Sequence, residues 1–78
     1  MHSLPQQPVA EAELRALVDS ISTEPVTALS SLAGHAKKLA ARDQIDRLLR
    51  DRSVLYGALN APEPKARKNA ARLLGALG

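Results

Sequence analysis

Residues 55–78 read LYGALNAPEPKARKNAARLLGALG, and the fold turns on how that stretch is read. Its centre, Ala61-Pro62-Glu63-Pro64, cannot be helix interior. Each proline lacks an amide donor and pushes the residue before it out of the α region, so the chain must turn there. Beyond the turn Ala66, Ala70, Leu73, Leu74 and Leu77 recur at offsets of 0, 4, 7, 8 and 11, which is one face of a helix. Pro64 suits the first turn of that helix, where no amide partner is lost, and Gly78 suits its end, because glycine takes the left-handed conformation without penalty. Leu73, Leu74 and Leu77 are expected to fill the seam of a helical pair, and Ala70 and Ala71 to let its two helices approach closely.

The same periodicity extends upstream. Ile45, Leu48, Leu49, Leu55 and Leu59 form a stripe after Asp43, an N-cap candidate. The charged run Arg50-Asp51-Arg52-Ser53 interrupts it, leaving open whether residues 44–59 are one bent helix or two. Glu24-Pro25 reads as a helix start, with Ser22 or Thr23 as the cap, and Val26, Leu29, Leu32, Ala33, Ala36, Leu39 and Ala40 follow as its apolar face. Gly34 inside that helix costs about 1 kcal/mol relative to alanine, which points to a close helix approach or a kink. Ala10, Leu14, Leu17, Val18 and Ile21 make a first helix whose acidic start, Glu11 and Glu13, suits the dipole. Residues 1–8, with two prolines and two glutamines, read as a flexible tail. The expected class is all-α, with four to five helices as stacked antiparallel hairpins or a small helical bundle.

The stretch Leu55 to Gly78 resembles the core of a HEAT or HEAT-like (armadillo-type) repeat. In that family an apolar helix meets a Pro/Asp turn and then a helix reading Val-Arg-x-x-Ala-Ala-x-x-Leu-Gly-x-Leu-Gly. Leu55, Ala58 and Leu59 match on the first helix, Pro62 or Pro64 in the turn, and Arg67, Ala70, Ala71, Leu74, Gly75, Leu77 and Gly78 on the second. Ala66 stands where valine is usual, and Ala61 and Glu63 where aspartates are common. The resemblance implies a short α-solenoid, in which residues 43–78 form one repeat pair, residues 9–42 a degenerate or capping pair, and Arg67 is structural. Solenoid repeats need roughly three copies to bury their faces, so the expected setting is the N-terminal part of a longer protein.

Composition narrows the function classes. A chain of 78 residues is at most one domain, and with thirteen Leu, fourteen Ala and no Cys, Phe or Trp it has neither disulfides nor thiolate metal sites to reinforce a small core. The formal charge of +3 divides unevenly: residues 1–30 carry −3, residues 31–60 +3 and residues 61–78 +3. No stretch reads as a secretory signal or a membrane span, so the expected compartment is the cytoplasm.

Candidate chemistry is sparse. His35 lies beside Lys37 and Lys38 with no second histidine at helical spacing. Glu11/Glu13 and Asp43/Asp46 read as helix-start charges, and the four glycines form no phosphate loop. No catalytic, cofactor-binding or metal-binding residue is assigned. The one constellation that points outward is Lys65, Lys68 and Arg72, offsets 0, 3 and 7 on one helix face, a candidate contact for phosphates or an acidic partner. The expected function is a non-catalytic protein–protein interaction or scaffold module, with a protein partner or self-association through apolar helix faces. The alternative is a basic nucleic-acid-binding accessory module, appended to an RNA-modifying enzyme such as a methyltransferase.

Overall fold

The computed structural model describes residues 11–78. The expected tail, His2 and the first position of the first stripe, Ala10, lie outside the described residues. Five helices follow in order: α1 (Glu11–Ser20), α2 (Pro25–His35), α3 (Leu39–Leu49), α4 (Ser53–Ala58) and α5 (Pro64–Leu77). No strand occurs among the described residues, and the class is all-α as the periodicity predicts.

Two helix pairs, α1 with α2 and α4 with α5, form antiparallel hairpins, and α3 packs between them as part of a small bundle. In the first hairpin, Glu13 near the start of α1 lies 3.8 Å from His35 at the end of α2. In the second, Arg52 just before α4 donates to the main-chain oxygen of Gly78 just after α5. The broadest packing between elements joins the hairpins through α2 and α5, while α3 lies against α1 and reaches α5. The largest fully buried side chains are Leu14 from α1, Leu29 and Leu32 from α2, Ile45 from α3, Leu55 from α4 and Leu73 from α5. Every helix thus supplies at least one anchor to a single core. Ala28, Ala33, Ala66 and Ala70 are buried too.

Several boundaries differ from the sequence expectation. The second helix stops at His35 rather than continuing through Ala40. The Arg42 guanidinium donates to the Ala36 carbonyl at 3.0 Å, closing the corner, and Lys38 is extended at the start of α3. Ala36 remains buried there, whereas Leu39, counted in the apolar stripe, is 71% exposed. Asp43 and Asp46 therefore sit within α3 rather than at a helix start. Gly34 marks neither a close approach nor a kink, since a Cβ there would meet nothing within 4 Å and the helix ends one residue later. Ser22 and Thr23 do not cap α2. Their hydroxyls donate back to the carbonyls of Asp19 and Ser20 at the end of α1, and Glu24 occupies the cap position without a side-chain bond.

Residues 44–59 form parts of two helices. The break is a tight turn in which the Arg52 amide donates to the Leu49 carbonyl at 3.3 Å, with Arg50 at φ 64° and ψ −95°. A positive φ at the first central residue is the type II′ arrangement, normally filled by glycine. Arg52 also has positive φ, 64°. The Asp51 carboxylate accepts the Ser53 amide at 3.0 Å and starts α4. In α5, Ala66, Ala70 and Leu73 carry the buried face, while Ala71 is exposed and Leu74 and Leu77 are half-buried. The small buried residues of this helix are therefore Ala66 and Ala70 rather than Ala71, and Leu73 is its fully buried leucine while Leu74 and Leu77 are only half-buried. Gly78 ends the helix at φ 86°, its amide donating to Leu74.

Candidate functional site

The charged face of α5 follows from its sequence, PKARKNAARLLGAL, which holds four cations and no carboxylate. Lys65, Lys68 and Arg72 are exposed and enter no ion pair among the described residues. At 100° and 1.5 Å per residue their stems fall within an arc of about 60° and span about 10 Å along the axis. Arg67 is turned elsewhere. Its Nη1 donates to the carbonyl of Ala61 at 2.7 Å and to that of Pro62 at 3.2 Å, so its charge is spent on tying the proline turn to the helix that follows.

Asn69 was not singled out by the sequence pattern. Its Nδ2 donates to the Val26 carbonyl in the first turn of α2, at 3.0 Å. Proline at the start of α2 already removes one unpaired donor, and this bond serves a group of the neighbouring helix. Periodicity places Asn69 between the buried row Ala66, Ala70, Leu73 and the basic row Lys65, Lys68, Arg72. The basic row therefore runs along the shoulder of α5 that borders α2.

A second exposed feature lies on the other shoulder. Leu74 is half-buried and Ala71 exposed there, Gly75 is exposed at the margin with the basic row, and Tyr56 of α4 is 53% exposed with Leu59, just after α4, half-buried.

The remaining polar contacts are structural in form. Arg52 donates through Nε to Asp46 Oδ1 at 2.9 Å and through Nη1 to Gly78, so one guanidinium joins α3, α4 and the end of α5. The hydrogen bond to Asp46 holds that guanidinium above its ordinary pKa. No spacing in the sequence announced this, because the three groups meet only after the positive-φ turn reverses the chain. Asp51 is held below its ordinary carboxyl value by the hydrogen bonds from Ser53. His35 faces Glu13, at a distance longer than a good hydrogen bond. No group of three or more His, Cys, Asp or Glu side chains able to hold a metal ion occurs among the described residues. A shallow depression between α1 and α3 is lined by Glu11, Gln44, Arg47 and Leu48, and Arg15 pairs with Glu11 beside it. No helix of the described residues is long and apolar enough to cross a membrane.

Comparison of the chain with protein-family models, with curated proteins and with solved structures finds no match. The resemblance to a HEAT repeat rests on residues 55–78 alone.

Proposed function

We propose that this chain is a non-catalytic protein-contact module of HEAT-like type, receiving an apolar helix face of a protein partner on the outer edge of its α4–α5 hairpin. The observation that carries this reading is the asymmetry of α5. Ala66, Ala70 and Leu73 are used internally, while Leu74 is half-buried and Ala71 exposed on the same helix and Tyr56 is exposed on α4, its partner in the hairpin. Small and aliphatic residues at the surface of one helix, with an exposed aromatic on the next, are what a packed helix-on-helix contact uses.

A photoreactive side chain at Ala71 should give a discrete protein adduct in native extract. Gly75→Arg should abolish the adduct without lowering the unfolding midpoint, because a side chain there meets open space and the helix loses a glycine. The same label at Asp43, exposed on α3, should give no such adduct. No adduct at Ala71, or equal labelling at Asp43, would reject the reading.

A further inference from the structure

We propose that the basic row of α5, together with the exposed row of the adjoining α2, is a sequence-independent docking face for the phosphate backbone of a double-stranded nucleic acid. The inference starts from charge that the fold does not use. A helix places positive potential at its N-terminus, so lysines in the first turns of α5 oppose the dipole. Arg67 recovers that cost through two carbonyls, but Lys65, Lys68 and Arg72 have no counterpart among the described residues. Glu24 and Glu63, the cap residues of α2 and α5, are the carboxylates nearest in sequence to this face, and neither pairs with it.

The surroundings decide the chemistry. On α2 the exposed positions Thr27, Ser30 and Gly34 repeat the offsets 0, 3 and 7 of the basic row. They lie between the side of α2 that meets α1 through His35 and the side that meets Asn69 of α5, so they open on the same outer surface. Two hydroxyls thus lie on the outward row of the helix that adjoins the basic one. Gly34 leaves the far end of that surface open to a bulky backbone. Ser and Thr hydroxyls beside Lys and Arg are the groups that contact phosphate oxygens and carry no sequence information. The axial span of the three cations, about 10 Å, equals the rise of about three nucleotides of one duplex strand.

Other anionic partners fit less well. Neither row contains a large apolar side chain, so a membrane surface would find nothing to insert and an acidic protein would find no anchor for an interface core. Neither contains an aromatic, so a single strand would have no stacking platform, and Tyr56 lies on α4 outside both rows.

The test is fluorescence anisotropy of the full chain with DNA and RNA duplexes of about 20 base pairs, titrated across salt, for which three phosphate contacts give a log–log slope near −3. Lys68→Gln should reduce the slope by about one, and Lys65→Gln/Lys68→Gln/Arg72→Gln should abolish measurable binding, with helix content unchanged by circular dichroism. Lys37→Gln/Lys38→Gln removes charge from the α2–α3 corner and should leave the slope as it was. Whichever duplex binds more tightly identifies the source of the phosphates. Three outcomes would overturn the proposal: no binding to either duplex at low salt, equal binding of polyglutamate or anionic vesicles, or an equal slope loss in the Lys37/Lys38 variant.

Discussion

Helices α2 and α5 lie side by side, yet they are built from opposite materials. The eleven residues of α2, PVTALSSLAGH, include no Lys, Arg, Asp or Glu, whereas the fourteen of α5 include four cations. Four residues of α2 are buried, Ala28, Leu29, Leu32 and Ala33, against three of α5, Ala66, Ala70 and Leu73. Position explains the contrast. α2 is covered by α1 on one side and α5 on the other, so it needs apolar or small residues around most of its circumference. α5 is covered by α2 and α4 but keeps an outer arc free, where charge costs little. The inner helix holds the hairpins together, and the outer helix keeps a charged arc exposed.

The sharpest test of that division is loss of core volume. Leu29→Ala and Leu73→Ala should each destabilise the fold by about 2–5 kcal/mol, since both side chains are fully buried and truncation leaves a cavity. Leu74→Ala should cost no more than about 2 kcal/mol, because its half-buried site already meets solvent and can partly close. Urea unfolding monitored by circular dichroism measures all three. Equal losses at Leu73 and Leu74 would mean that α5 is rotated from the position described, and the assignment of its two shoulders would fail with it.

The same comparison shows what a sequence can disclose. α5 was legible because proline, a regular apolar spacing and glycine mark its beginning, middle and end with independent physical effects. Which leucine of the Leu73-Leu74 pair faces inward was not legible, since both fit the stripe. The end of α2 was misread for a related reason. Leu39 continues the apolar spacing, but the chain turns at Ala36, so α3 starts a new register in which Ala41, Ile45 and Leu49 point inward. The basic row needed only helical spacing, and its three residues are exposed. Its neighbour α2 was not associated with it, because the Asn69 bond to Val26 joins residues 43 positions apart.

The α3–α4 turn offers a smaller change with the opposite sign. Arg50 occupies a backbone conformation that favours glycine, and its side chain makes no hydrogen bond or ion pair among the described residues. Arg50→Gly should therefore stabilise the fold by about 1 kcal/mol, the relief of local strain exceeding the added freedom of the unfolded chain. Arg52→Gly relieves a similar φ but removes the contacts to Asp46 and Gly78, so it should destabilise. A melt in which both glycine variants move in the same direction would show that backbone strain and the Arg52 bridge had been weighed wrongly.

On the free arc of α5 the expected stability effect is smaller. Lys68→Ala should shift unfolding by no more than about 0.5 kcal/mol, as exposed substitutions do. A shift as large as that of Leu73→Ala would place Lys68 in the core and remove the basic row as a surface.

The smallest effect is a matter of protons. Asp51 is exposed, and its carboxyl is held below the ordinary value of 3.8 by the backbone amide of Ser53 first and its hydroxyl second. A group whose folded pKa is depressed stabilises the fold above its unfolded pKa. That contribution is lost as pH falls through the folded value, so the difference appears on the acid side of about pH 4. Asp51→Asn keeps an oxygen that can accept the Ser53 amide but cannot titrate. Subtracting its urea midpoints from those of the parent chain, across about pH 2 to 5, isolates this carboxyl from the others that protonate in the same range. The parent should lose its advantage over the variant as pH falls, and the difference should be flat above about pH 5. Identical acid profiles would mean that the Ser53 bond does not persist in solution, and that the α4 start depends on the Arg52 bridge instead.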